Sequence, residues 1–271
     1  MSLSDTSALV LLWAQGAAHT SKNARMYLES LNLDSGAELF KKCNAVWNHY
    51  DEVIKNRKKC ILDMSRHVLK DGKIKQMIIL GAGFDALSIE ILHHVNELCV
   101  YDIDVANMHL KERLLKNTLG QESGIQCIDA DVKNPDKLLY TLEKCGWNSK
   151  KPALLVMEGI SYYLTKSELS KMINGFSNDK NNRILLEYLL PHECISKEIS
   201  HIPEKIFSII KDNHHTTLTR YDESEIGRLL GPGCHITKTL GLKDMEMTRL
   251  GQNTYFKKKS HGWIQISQIT I

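Results

Sequence analysis

From residue 76 onward, short apolar runs alternate with stretches of helical spacing, and this alternation constrains the fold more than any other feature of the chain. Each run is rich in Ile, Leu, Val or Met, as expected of a strand buried on both faces. The runs lie at 77–80, 98–101, 125–128, 153–157 and 184–188, and the helical stretches near 85–94, 105–117, 134–144 and 165–177. This pattern predicts a doubly wound α/β fold with a mostly parallel sheet and helices on both faces. Further strands at 236–242 and 262–271 are predicted to close a sheet of seven.

The first 75 residues are predicted to form a helical N-terminal cap. Residues 44–70 carry apolar side chains at helical spacing on one side, and Asp71-Gly72 ends that pattern. Residues 76–271 form the predicted core, with a mainly helical insertion at about 190–230. No linker-like segment separates these parts, so we predict a core with additions and not two independent domains.

The composition indicates an ordinary globular protein and argues against several partners. The net charge is +3 over 271 residues, and the basic runs at 56–59 and 257–259 are too short to predict a nucleic-acid surface. The apolar segment 8–14 has seven residues, whereas a membrane span needs about 18. Neither nucleic acid nor a membrane is therefore an expected partner, and the oligomeric state stays open.

The cysteines and histidines do not form a ligand pattern. Seven cysteines occur without a Cys-x-x-Cys pair, and twelve histidines occur without a His-x-x-x-His pair. We therefore expect no metal site, and free thiols in a reducing cytoplasm.

A glycine turn follows the first predicted strand and opens the next helix, in the segment Leu80-Gly81-Ala82-Gly83-Phe84-Asp85-Ala86. Glycines at Gly81 and Gly83 allow a sharp turn and let a ligand approach the backbone closely, and Ala82 lies between them. The N-terminus of the following helix favours an anionic group. Such a turn also fits a dinucleotide-binding fingerprint or an ordinary strand–helix connection.

Acidic residues follow the second, third and fourth predicted strands: Asp102 and Asp104, then Asp129 and Asp131, then Glu158. The carboxyl ends of parallel strands form the ligand crevice of such sheets. Acids recurring after three strands suit adenosine with a cationic amino-acid end better than a pyrophosphate. An NAD-dependent oxidoreductase stays an alternative.

The chain resembles the leucine carboxyl methyltransferase family from about residue 6 to residue 190. The resemblance rests on Gln76 to Asp85, on Tyr101-Asp102-Ile103-Asp104, on Ala130-Asp131-Val132, and on Pro152 to Gly159, which continues to Tyr163-Leu164-Thr165. It implies a Rossmann-like methyltransferase that uses S-adenosyl-L-methionine. The family usually has Asp-Thr-Arg after the last glycine, whereas this chain has Asp85-Ala86-Leu87.

The resemblance also implies the residues that bind the cofactor. Gly81, Ala82 and Gly83 would contact the methionine moiety, and Asp104, with Asp102 as second choice, the ribose. The other implied contacts are Asp131 and Val132 with adenine, Glu158 with the methionine or sugar part, and Arg57 with the cofactor carboxylate.

The resemblance favours a carboxylate of a small molecule or a peptide C-terminus as methyl acceptor, with a methyl ester as product. A carboxylate is already an anion and needs no general base, whereas a hydroxyl acceptor would need one, such as His192, His214 or His215. Tyr162 and Tyr163 are candidates for the acceptor pocket. Candidate carboxylate-binding arginines are Arg220, Arg228 and Arg249. A non-catalytic cofactor-binding protein is the remaining alternative.

Overall fold

The computed structural model describes residues 3–16, 19–120, 124–177, 181–214 and 218–271, without the side chains of residues 212–214. Four α-helices of the described chain precede the sheet: α1 Asp5–Ala14, α2 Lys22–Glu29, α3 Ala37–Val46 and α4 Tyr50–Leu69. The predicted N-terminal cap therefore contains helices, and α4 is the long helix expected at 44–70. None of the helices described is both long and apolar enough to cross a membrane.

Strands and helices then alternate as predicted. The strands are β1 Gln76–Leu80, β2 Cys99–Asp104, β3 Ile125–Asp129, β4 Leu154–Met157, β5 Arg183–Leu189, β6 His235–Gly241 and β7 Ile264–Thr270. The helices between and after them are α5 Leu87–His94, α6 Met108–Leu119, α7 Pro135–Lys144, α8 Lys166–Gly175, α9 His201–His214, α10 Glu223–Leu229 and α11 Leu242–Leu250.

The strands form one seven-stranded sheet in the order β3-β2-β1-β4-β5-β7-β6. Strands β1 to β5 pair in parallel, and β7 runs antiparallel between β5 and β6. The predicted fold class is confirmed. The chain winds outward in both directions from β1, so the sheet has its switch point between β1 and β4, where a ligand crevice is expected.

Alternate residues of β1 face opposite sides of the sheet, which explains its continuous apolar sequence. Met77 and Ile79 join a core cluster with α4, α5 and α11, whereas Ile78 and Leu80 join a second cluster with α7, α8 and α10. Both faces are covered, so every position of the strand is buried.

Carboxylates determine where two of the helices begin. The Asp85 carboxylate accepts a hydrogen bond from the Leu87 amide at 2.8 Å, and α5 starts at Leu87, two residues later than predicted. The Asp129 carboxylate at the end of β3 accepts from the Met108 amide at 2.9 Å, where α6 starts. These side chains satisfy amides that have no partner inside the helix.

Candidate active site

A cleft of about 400 Å³ lies at the carboxyl ends of β1, β2 and β4 and is bounded by α1 and α4. This volume is within the range of small-molecule sites. A smaller cavity of about 50 Å³ adjoins the cleft and is lined largely by apolar side chains. The two cavities share Thr6, Val10, Arg57, Tyr162 and Tyr163 as lining residues.

The glycine turn forms one wall of the cleft. Gly81 has φ of +72° and Gly83 has φ of +47°, values that favour glycine. A Cβ on Gly81 would come within 2.6 Å of the Ile160 Cδ1 atom. The Ala82 amide donates to the Ile103 carbonyl at 2.8 Å, which ties the turn to the end of β2. All three predicted residues of the turn line the cleft.

Asp104 is held at the rim of the cleft by two backbone amides. Its Oδ2 accepts from the Gly83 amide at 2.9 Å, and its Oδ1 accepts from the Val105 amide at 2.7 Å. Each oxygen keeps a further lone pair, so the carboxylate can also accept hydroxyl hydrogen bonds from a ligand. Asp104 therefore has the position and acceptor capacity expected of a ribose-binding residue.

Asp102 does not reach the cleft, so the structure corrects its assignment as a second choice for the ribose. It is fully buried, and its Oδ2 accepts from the Ser88 hydroxyl at 2.8 Å and lies 2.7 Å from the Lys111 ammonium. Asp102 precedes Asp104 by two residues, about 6–7 Å along the strand, and this distance places it inside the protein.

The residues after β3 lie beside Asp104 but outside the lining of the cleft. The Ala130 amide donates to the Asp104 carbonyl at 2.8 Å, which positions the segment next to the rim. Asp131 is exposed and its carboxylate accepts from the Lys133 amide at 2.9 Å, whereas Val132 is buried in the second core cluster. The structure does not bring Asp131 or Val132 into the cleft wall, and their implied contact with adenine stays a prediction.

A buried ion cluster of five residues borders the cleft: Arg57, Lys58, Asp85, Glu158 and Glu187. Arg57 Nε lies 2.9 Å from Glu158 Oε1, and its Nη1 lies 3.4 Å from Glu187 Oε1. Lys58 Nζ lies 2.7 Å from Asp85 Oδ2 and 2.8 Å from Glu158 Oε1. Three carboxylates and two cations thus lie together, and His19 Nε2 lies 3.5 Å from Asp85 Oδ2. Such a site can bind a ligand that carries both a positive and a negative charge.

Burial and charge pairing act in opposite directions on the ion cluster. Burial would raise the pKa of Asp85, but attraction to Lys58 and His19 outweighs it and holds the pKa well below its usual range. Burial would lower the pKa of Lys58, but Asp85 and Glu158 outweigh it and raise the pKa. The pKa of Glu187 is raised because burial prevails over attraction to Arg57. Asp85 is therefore a weak base and Lys58 stays cationic.

Glu187 connects the ion cluster to the loop after β4. Its Oε2 accepts from the Gly159 amide at 2.5 Å, and the Ser161 hydroxyl donates to its backbone carbonyl at 2.5 Å. Gly159 has φ of +72°, so the chain turns sharply directly after Glu158. Glu187 thereby holds the loop that presents Glu158 and the two tyrosines to the cleft.

Tyr162 and Tyr163 line both cavities, and their role in an acceptor pocket stays a prediction. Burial, with the nearby Glu187 carboxylate, raises the pKa of Tyr162 well above its usual value. Burial also raises the pKa of Tyr163. Both phenols are therefore neutral near pH 7, where they donate hydrogen bonds and do not act as bases.

The histidines proposed as bases do not line the cleft in the part of the chain that the structure describes. His192 Nδ1 lies 3.3 Å from Glu204 Oε1 at the surface. The side chain of His214 and all of His215 lie outside the described residues. His19 is buried, with Nε2 3.5 Å from Asp85 Oδ2, and does not line either cavity.

The three arginines proposed for the acceptor differ in their positions. Arg249 donates to Asn56 Oδ1 at 2.6 Å and pairs with Glu52, and Arg228 donates to a serine hydroxyl within α10. Arg220 lies over the ring of Phe207, which lines the small cavity, with 5.9 Å between the guanidinium carbon and the ring centre. Of the three, Arg220 is placed beside the candidate acceptor pocket.

Sequence reasoning missed Lys58 and Glu187, although both left a signal. Lys58 is four residues from Ile54 and from Leu62, which are buried on the same helix, so the helical spacing places it on the apolar side of α4. Glu187 interrupts the apolar sequence of β5, all of whose residues after Arg183 are buried. A charged residue in such a position needs a partner, and this indicates a site or an ion pair.

These residues fit S-adenosyl-L-methionine. The glycine turn leaves backbone without side chains at the cleft, and Asp104 offers free lone pairs for the ribose hydroxyls. The ion cluster contains both cations and carboxylates, which complement the charged amino-acid end of the cofactor. No group of histidine, cysteine, aspartate and glutamate able to hold a metal ion occurs among the described residues.

Comparisons with known proteins agree with the geometry. The model of the family described as leucine carboxyl methyltransferase matches residues 2–177, about two thirds of the chain. A search of curated proteins finds no match.

Solved structures with low sequence identity share the fold. A protein assigned as a methyltransferase from Thermobifida fusca is 13% identical, with 95% of this chain and 96% of that chain covered and a TM-score of 0.67. A DUF574 family protein from Streptomyces avermitilis is 12% identical, with coverage of 95% and 98% and a TM-score of 0.67.

Magnesium protoporphyrin IX methyltransferase from Synechocystis, with bound S-adenosylhomocysteine, is 14% identical, with coverage of 85% and 93% and a TM-score of 0.52. The family match and the shared Rossmann-like fold lead to one conclusion. The chain belongs to the leucine carboxyl methyltransferase family and is an S-adenosyl-L-methionine-dependent methyltransferase.

Proposed function

We propose that the protein methylates a carboxylate of a small molecule or a peptide C-terminus and releases a methyl ester. The observation that carries this proposal is the absence of a usable base around the cleft within the described residues. The carboxylates of the ion cluster are paired with cations, the two tyrosines are neutral donors, and none of the histidine side chains that the structure describes lines the cleft. A hydroxyl acceptor has to lose a proton, whereas a carboxylate is ionised before it binds.

The main contributions of the protein to this reaction are to position the two reactants and to exclude water from them. When bound, S-adenosyl-L-methionine supplies an electrophilic methyl group. The glycine turn and Asp104 would hold its nucleoside, with Asp131 and Val132 beside the adenine, and the ion cluster would hold its amino-acid end. Donors on the wall shared by the two cavities would orient the acceptor carboxylate, namely the hydroxyls of Thr6, Tyr162 and Tyr163.

The small cavity suits the apolar part of the acceptor. Its walls include Leu9, Trp13 and Ile54, and it opens beside the tyrosines that would bind the carboxylate. Arg220 is close enough to Phe207 to add positive charge near this pocket. An acid with an apolar group next to its carboxylate therefore fits the arrangement better than a highly polar one.

We also propose that the protein works in the reducing cytoplasm. All seven cysteines are free thiols, and Cys43 and Cys60 are buried. This is the usage expected where disulfides do not persist.

The chemical stability of the product tests the proposed reaction. The protein is incubated with cofactor carrying a radiolabelled methyl group, together with N-acetyl amino acids and a metabolite extract as acceptors. We expect label that mild alkali releases as methanol, because esters hydrolyse under these conditions and methyl ethers do not. Gly83→Val protein, which is expected not to bind the cofactor, is the control. Label that resists alkali would contradict the proposal and favour a hydroxyl acceptor.

Substitution of the two aspartates of β2 tests the ribose assignment. Asp104→Ala is expected to weaken the binding of S-adenosylhomocysteine by about 1–3 kcal/mol, because hydroxyls of the ligand lose their acceptor. Asp102→Ala is expected to lower the free energy of unfolding instead, because the buried Lys111 loses its carboxylate. Calorimetric titration and urea unfolding of both variants measure the two effects. The assignment fails if Asp102→Ala weakens binding more than Asp104→Ala does.

A further inference from the structure

Lys58 is a buried lysine whose charged end lies at the wall of the cofactor cleft. Its side chain is 5% exposed, and the residue lines the cleft next to the glycine turn. Its ammonium has three N–H donors. Nζ lies at hydrogen-bonding distance from Asp85 Oδ2, 2.7 Å, and from Glu158 Oε1, 2.8 Å. Two carboxylates account for two of the three donors, so the ammonium has the capacity to bind one further acceptor.

Arg57, the neighbouring cation, is occupied by the protein itself. Its Nε donates to Glu158 and its Nη1 donates to Glu187, which is completely buried. Removing the guanidinium from Glu187 would leave an unpaired charge inside the protein, which is unfavourable. Arg57 also lines the cleft, but its guanidinium is held by Glu158 and Glu187, whereas the Lys58 ammonium lies 2.7 Å from Asp85 in the glycine-turn segment.

We propose that Lys58 binds the carboxylate of the amino-acid end of S-adenosyl-L-methionine. This end of the cofactor is a zwitterion with an ammonium and a carboxylate on one carbon. Lys58 offers a positive charge with a carboxylate on either side, Asp85 and Glu158, so both charges of the zwitterion meet an opposite charge. The two residues after Asp85, Ala86 and Leu87, carry no charge. Lys58 on α4 therefore supplies a cation to Asp85 from a different part of the chain.

This assignment is independent of the acceptor. It rests on use of the cofactor by the family and on the contacts of Lys58, and it holds equally for a carboxylate or a hydroxyl substrate. Failure of the alkali test described above would therefore leave it unaffected.

A pair of ligands separates this role from a structural one. S-adenosylhomocysteine carries the amino-acid end, whereas 5′-methylthioadenosine has the same nucleoside and thioether without it. In calorimetric titrations, Lys58→Met is expected to weaken S-adenosylhomocysteine binding by roughly 10- to 100-fold, the usual effect of losing a charge-assisted hydrogen bond. The affinity for 5′-methylthioadenosine should stay within about twofold. Lys58→Arg, which keeps the charge, should recover part of the lost affinity.

Lys59→Met is the matched control, because Lys59 is on the same helix and pairs with Asp63 away from the cleft. It should leave both affinities unchanged. If Lys58→Met does not fold, the single variant Asp85→Asn is compared with the double variant Asp85→Asn, Lys58→Met. The double variant removes both charges of the pair together. Equal losses for the two ligands, or an unchanged affinity for S-adenosylhomocysteine, would overturn the proposal.

Discussion

Gly83→Val is expected to abolish cofactor binding while the protein still folds. Gly83 has φ of +47°, and a Cβ there would lie 3.8 Å from Asp104 Oδ2 and 3.9 Å from Ser7 Oγ. The two methyl groups of valine would extend beyond these contacts into the space between the glycine turn and α1. The left-handed backbone would add roughly 1–2 kcal/mol of strain. Together these effects should reduce the affinity for S-adenosylhomocysteine by about 100-fold or more.

Gly146→Val is the matched control for backbone strain. Gly146 has φ of +90°, and a Cβ there meets nothing within 4 Å. It also lies outside the cleft. Both variants should lose similar stability in thermal unfolding, but only Gly83→Val should lose binding in calorimetric titration. Normal affinity in a folded Gly83→Val protein would show that the cofactor does not approach this turn.

Arg57→Met is expected to cause the largest loss of stability of the substitutions considered. The substitution leaves Glu187 without its cation and removes one of the two cations beside Glu158. Removing one partner from a buried ion pair typically costs about 3–5 kcal/mol of unfolding free energy. The measurement is urea unfolding at pH 7, followed by circular dichroism.

Two further variants identify the cause of that loss. Lys59→Met breaks a partly exposed pair with Asp63 on the same helix and should cost less than about 1 kcal/mol. Arg57→Met combined with Glu187→Gln removes both charges of the buried pair and should recover part of the stability. If the double variant is as unstable as Arg57→Met alone, loss of packing and not unpaired charge explains the effect.

The alternation of apolar runs was sufficient to predict the fold class, because apolar residues recur at one spacing in strands and at another in helices. A strand covered on both faces needs apolar side chains at every position, and a helix on its surface needs them on one side only. The glycine turn was predictable for a related reason. A sharp turn between strand and helix requires left-handed backbone, and Gly81 and Gly83 adopt it.

The depth of a residue in the sheet was not predictable from its sequence neighbourhood. Asp102 and Asp104 are two residues apart and both follow apolar residues, so the pattern alone assigns them the same role. In the structure β2 ends at Asp104, which reaches the cleft, whereas Asp102 is enclosed with Ser88 and Lys111. The position where the strand ends relative to its neighbours in the sheet determines which carboxylate a ligand meets.

The sequence by itself determined the layered α/β fold, the position of the glycine turn, and Asp104 and Glu158 as acids at strand ends. These features depend on spacing within one or two neighbouring elements, which local chain geometry controls. Only the tertiary structure decided that Lys58 of α4 meets Glu158 after β4, and that Arg57 meets Glu187 of β5. These partners are about 100 to 130 residues apart. They come together because burial of α4 against the sheet removes water from around these charged groups. A buried charge without water is stable only when it is paired with an opposite charge of the protein.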